Sequence, residues 1–422
     1  MSNPILLKNI RILVAGTPET SRTDLLIENG TIRRIAANIE SETAELIDGN
    51  GAIVCPGFFD IGTQIGDPGF EHKEDLYSAA SAAAAGGYTG LACFPNTHPV
   101  IHSKSEVLYV RNTARSLPVD IYPIGAISRN CEGKEITEMY DMRAAGAVAF
   151  SDGLTAIQHS GVLMRALLYV KPFEGLIINR PLDEKIAAHG MLHEGMTSTS
   201  LGLKAIPALA ESLNVQREIY LTQYTESRLH FHLISAGESL DLIRKAKQEG
   251  VAVTASVSPL HLVFTDDDLM SFNNNLKVMP PIRSAFDRAA LVEALKDGTI
   301  DVISSGHVPQ DQESKHLEFA YAQFGAITLE TTFSLLFEQF GESLGLGKLI
   351  DLLAIQPRQV LGLPVPEIKE GATADLCLID LEHAWTRSTD TLRSKSMNDP
   401  LLGRTLPAKV LGTYCKGQWW AA

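Results

Sequence analysis

The sequence contains no C-x-x-C pair: its five cysteines, Cys55, Cys93, Cys131, Cys377 and Cys415, stand alone. That argues against a cysteine zinc site and against a disulfide framework, and lone thiols fit a reducing compartment. Positive charge is scarce as well. Lys and Arg total 36 against 50 Asp and Glu, a net charge of −14, which suits nucleic acid poorly because its backbone is held chiefly by Lys and Arg. No apolar run approaches the roughly 18 residues that suggest a membrane span. The opening M-S-N-P-I-L-L-K-N-I has neither the basic nor the apolar region of a signal peptide, so a cytoplasmic protein without a membrane partner is expected. No G-x-G-x-x-G follows a strand-like run, which removes the main sign of a dinucleotide site.

What is present is a 422-residue chain, 45% hydrophobic and 20% charged, long enough for one large domain and a smaller one. From Ile5 to Val54, short apolar runs are broken at Asn29-Gly30 and Gly49-Asn50-Gly51, the pattern of several antiparallel strands. After Pro364 the runs A-D-L-C-L-I-D-L and A-K-V-L-G-T-Y-C-K-G-Q-W-W are strand-like again. A small β-sandwich domain built from residues 1–57 and 364–422 follows. Between them, helical periodicity at Leu76 to Ala85, Ser160 to Tyr169, Ser239 to Glu249 and Ala285 to Leu295 alternates with short apolar runs. Eight such strands predict a (β/α)8 barrel over 58–363.

The first barrel strand ends F-D-I-G-T-Q-I-G-D-P-G, Phe59 to Gly69. Alternation turns Asp60, Gly62 and Gln64 the same way. Around this stretch, V-C-P-G-F-F-D, K-E-D-L, F-P-N-T-H-P-V, A-F-S-D-G, M-L-H-E-G, L-H-F-H-L-I-S-A-G-E-S, P-P-I-R, D-G-T-I-D-V-I-S-S-G-H-V-P and F-G-A-I-T-L-E-T-T follow one another in order. This set resembles dihydroorotase of the longer bacterial class, an amidohydrolase-superfamily enzyme of pyrimidine synthesis that cyclises carbamoyl aspartate reversibly. The resemblance implies a TIM barrel with one or two zinc ions at the carboxyl ends of its strands. The zinc would supply hydroxide and polarise the amide.

Carried over position by position, the implied ligand set is largely missing. The family's His-x-His-x-Arg-x-Pro-Gly is Gly62-Thr63-Gln64-Ile65-Gly66-Asp67-Pro68-Gly69, so both histidines and the substrate arginine are replaced. Asp152 matches the bridging acid, with a strand-end cap as its structural alternative. A ligand histidine falls on Arg180, or on Asn179 with a one-residue shift, and neither binds zinc well. The run S-A-G-E-S places another on Leu233; neighbouring His232 would point to the opposite face. Gly306 stands where the ligand and general-base Asp belongs, and Gln310 where a further His sits. With Gly62, Gln64, Arg180, Leu233 and Gly306 unable to serve, no zinc cofactor and no catalytic residue are expected.

Asn96, Arg283 and His307 remain as candidate pocket residues, although Gly66 and Met279 replace an arginine and an asparagine implied for substrate binding. His230 reads as packing, and His193-Glu194 as a loop brace. The family also includes inactive subunits that hold aspartate carbamoyltransferase in a larger assembly. The expectation is therefore a non-catalytic partner of aspartate carbamoyltransferase and of a second copy of itself. Two alternatives stay open: a cyclic-amide hydrolase with a rearranged site drawn from Asp152, His232, His261 and His307, and a sensor of a pyrimidine precursor using Asn96 and Arg283.

Overall fold

The computed structural model describes residues 3–14 and 20–422. At its centre eight strands lie side by side in chain order: Phe58–Thr63, Tyr88–Cys93, Asp120–Gly125, Ala149–Phe150, Leu176–Asn179, Arg228–Phe231, Val253–Val257 and Val302–Ile303. Neighbours are parallel throughout, with helices in each connection. This is the (β/α)8 barrel expected from the sequence. The first strand meets the segment after the eighth through the Gln64 amide and the His307 carbonyl, 2.9 Å apart. Asp60 reinforces that seam: its carboxylate accepts from the Ser305 amide at 2.6 Å, the Ser305 hydroxyl at 2.7 Å and the Thr63 hydroxyl at 2.5 Å. Burial raises the Asp60 carboxyl pKa, and these hydrogen bonds pull against that rise.

Alternation along the strands sorts the core into two shells. Phe59, Ile61, Ala92, Ile124, Ala149, Ile178 and Val302 fill the barrel, while Leu91, Ile177, Leu229, Phe231, Ala255 and Ile303 face the helices. The helix Leu76–Ala85 buries Ala79, Ala80, Ala82, Ala83 and Ala84, and begins where Asp75 accepts from the Ser78 amide. Alanine combines high helix propensity with small size, so this helix lies close on the sheet.

The end strands form a separate eight-stranded sheet around Leu7, Ile10, Leu25, Ile27, Val54, Leu376 and Tyr414. The purely antiparallel arrangement expected for the N-terminal runs is not what forms. Ile5–Ile12 pairs antiparallel with Thr23–Glu28, but parallel with Glu45–Asp48 and Ile53–Pro56. Turn signals mark where a chain reverses; they do not say whether the next run returns beside its predecessor or beside an earlier strand. Leu376–Asp380 then joins the two ends, pairing antiparallel with Ile53–Pro56 and with Lys409–Cys415.

Residues 387–404 form a strap over the barrel mouth. Arg387, 1% exposed, pairs with Glu330 at 2.9 Å and Asp399 at 2.7 Å. Glu330 also accepts from the amides of Arg393 and Ser394, and the Asn398 amide group donates to the Val308 carbonyl at 3.1 Å. Among the described residues no helix is long and apolar enough to cross a membrane.

Candidate functional site

The positions singled out by sequence gather at the carboxyl ends of the barrel strands, as that fold places active sites. Gly62 has φ +86°, and a Cβ built there would lie 2.5 Å from His232 Cε1 and 2.6 Å from Phe94 Cζ. Two rings, packed edge to face with centroids 4.8 Å apart, therefore fill the space of a first-strand ligand. This corrects the expectation for His232. The sixth strand stops at Phe231 and Leu233 is left-handed at φ 58°, so both side chains reach the mouth: His232 against Gly62, and Leu233 with a methyl 3.5 Å from the Cβ position of Gly306.

Arg180 follows the fifth strand. Its Nε is buried without a hydrogen-bond partner, and loss of hydration lowers the guanidinium to about 10. The His232 pKa is driven well below its ordinary value, first by burial, then by His230 and Arg180. Neutral imidazole is the metal-binding form, but the guanidinium beside it repels a dication. Asn179 is committed too, its amide donating to Glu218 at 2.8 Å and accepting from Ile157. Burial raises the Glu218 carboxyl to about 7, against the lowering effect of Arg217 and Asn179.

Asp152 is fully buried, its carboxylate accepting from the Ser128 amide at 2.8 Å and from the Ser128 hydroxyl. Burial lifts its pKa to about 6 despite those bonds. Asn96 braces the turn after it, donating to the Asp152 carbonyl at 3.0 Å and accepting from Leu154 at 2.8 Å. Among the described residues, no group of three or more His, Cys, Asp or Glu side chains is placed to hold a metal ion. A zinc site needs three or four such donors, so the residues present do not fit the metal.

A pocket of ≈ 240 Å³ persists at the mouth, lined in part by Gln64, Asn96, Leu154 and Gln310. Two of the three pocket candidates lie outside it. Arg283 is buried and engaged elsewhere: Nε donates to the Ser235 hydroxyl at 2.7 Å, Nη1 to His193 at 3.2 Å, and Nη2 lies 3.6 Å from Glu211. Glu211 in turn accepts from the amides of Ser235 and Ala236 and from the Ser239 hydroxyl. Arg283 thus braces the loop after the sixth strand, and its spacing in P-P-I-R could not reveal that acid on a distant helix. His307 is 1% exposed. Its Nδ1 accepts from the Thr328 amide at 3.2 Å, which puts the ring proton on Nε2, 3.5 Å from Glu74.

Two further histidines are engaged as well. His230 bridges the hydroxyls of Thr254 and Ser256, with burial taking its pKa to about 3. His261 donates from Nε2 to the Pro280 carbonyl at 2.9 Å, and burial takes it to about 4. Sequence reading missed Phe94, which sits in the matched segment F-P-N-T-H-P-V, and Lys73, which begins K-E-D-L and lines the pocket. Only the left-handed glycine opposite Phe94 explains why an aromatic belongs there.

Residues 51–239 match the family model described as dihydro-orotase-like. The chain is 38% identical over 411 residues to a dihydroorotase of Caldicellulosiruptor saccharolyticus, covering 96% of each protein. It is 40% identical over 410 residues to one of Pelotomaculum thermopropionicum, covering 96% of this chain and 95% of that one. Among solved structures it is similar in fold to the L-hydantoinase (dihydropyrimidinase) of Arthrobacter aurescens, with a TM-score of 0.85 at 24% identity, over 100% of this chain and 96% of that one. With near-complete coverage by such relatives, this chain belongs to the dihydroorotase-like family.

Proposed function

We propose that this chain is a dihydroorotase-type protein of pyrimidine biosynthesis that binds no zinc, performs no hydrolysis, and serves as a structural partner of aspartate carbamoyltransferase. The observation that carries the reading is the packing at Gly62, where His232 and Phe94 occupy the space of a metal ligand. Gly306 supports it, since a glycine there can neither bind metal nor accept a proton. The partner role is supported by the helix Leu209–Thr225, whose outer face exposes Leu209, Leu213, Tyr220 and Tyr224. An apolar stripe on one helix is the kind of surface that assemblies cover.

A second reading, an active cyclic-amide hydrolase, is favoured by the relatives that carry the name dihydroorotase. Metal analysis and a dihydroorotate hydrolysis assay separate the two. The expected result is zinc far below one equivalent and no turnover; tightly held zinc with turnover would sink the non-catalytic reading. In parallel, co-purification with the transcarbamoylase is expected to be lost in the Leu213→Asp, Tyr220→Asp double variant. Retention of the complex would remove this helix from the contact.

A further inference from the structure

The mouth pocket has a polar inventory of its own. Gln64 is 8% exposed, and its Nε2 donates to the Asn96 carbonyl at 2.8 Å. A carbonyl only accepts, so the amide cannot be turned round, and Oε1 is left buried with no donor. A buried acceptor without a partner costs about 1–3 kcal/mol, which an incoming N–H or O–H would relieve. Lys73 supplies a positive charge. Its ammonium donates to Gln310 at 2.8 Å and lies 5.9 Å from the centre of the Phe70 ring. Among the described residues no Asp or Glu lines the pocket, although the chain carries a net charge of −14. The other two amides are spent, Asn96 on the turn at Asp152 and Gln310 on Lys73 and the Phe324 carbonyl. The rest of the lining is mainly Phe70, Leu154, Val308 and Pro309.

We propose that this pocket binds a small carboxylate with an apolar ring and a single N–H or O–H donor, the carboxylate toward Lys73 and the donor toward Gln64. At ≈ 240 Å³ it is smaller than the roughly 300–1,000 Å³ of drug-sized sites, so one ring fits. Dihydroorotate is disfavoured. Its ring carries two amide N–H groups and two carbonyls, and a pocket offering one acceptor and one ammonium would leave most of them unpaired. The inference rests on the reading that no metal sits at this mouth.

Calorimetry on the full-length protein tests it with 3-hydroxybenzoate, benzoate, phenol and dihydroorotate as probes. The expected result is one 3-hydroxybenzoate per chain, bound about ten-fold or more tightly than benzoate, phenol or dihydroorotate, in line with one lost polar contact. Gln64→Leu and Lys73→Met are each expected to weaken it about ten-fold. Lys73 is half-buried at the rim, so its variant folds, as circular dichroism would verify. The proposal fails if 3-hydroxybenzoate does not saturate, if Lys73→Met binds it like the parent, or if dihydroorotate binds more tightly. A zinc-loaded, hydrolysing protein overturns this inference and the proposed function together. A zinc-free protein indifferent to 3-hydroxybenzoate overturns this inference alone.

Discussion

Restoring a histidine at position 62 is expected to damage the protein without reviving it. Gly62→His should lower the unfolding free energy by about 4 kcal/mol, combining the cost of a side chain at positive φ with overpacking of the barrel mouth. The new Cβ would stand within 2.6 Å of both His232 and Phe94, and neither ring can retreat, because both are buried. Urea denaturation measures the loss, and zinc content measures any recovery. A Gly62→His protein as stable as the parent and carrying zinc would show that the mouth is still an open metal site. Adding Phe94→Ala should return part of the lost stability, since it frees the space the histidine needs.

The second large effect concerns the strap. Arg387→Met is expected to cost about 4 kcal/mol, because removing one partner strands the remaining charges of a buried group. Arg387 is the cation between Glu330 and Asp399, both also buried. Neutralising both acids in the same chain, with Glu330→Gln and Asp399→Asn, should recover much of the loss. If Arg387→Met stays within about 1 kcal/mol of the parent in urea, the cluster contributes no more than a surface pair would.

The barrel was legible because its strands are continuous apolar runs, as buried parallel strands are. The helix Leu209–Thr225 was not. It buries Glu211, Ser212, Asn214, Glu218, Thr222 and Thr225 and turns leucines and tyrosines outward, so an apolar-face search looks on the wrong side. Of these, Glu211 serves the loop after the sixth strand and Glu218 the fifth-strand terminus, contacts that no local window contains. At the mouth, the loss of ligands at Gly62, Arg180, Leu233 and Gly306 could be read from aligned motifs. What replaced them could not. His232 was assigned by strict alternation, but alternation holds only while the chain stays extended, and Leu233 leaves that conformation.

The sheet formed by both ends of the chain has a consequence for synthesis. Ile53–Pro56 is completed on one side by Leu376–Asp380, roughly 320 residues later. At about 5–20 residues per second, that edge waits on the order of tens of seconds for its partner to be made. During that interval Ile53, Val54 and Cys55, paired on one side with Ile5–Ile12, leave their other apolar edge open next to a barrel still being assembled. A nascent chain of this design spends its most aggregation-prone period on the ribosome, where a strand made late in synthesis protects one of the first.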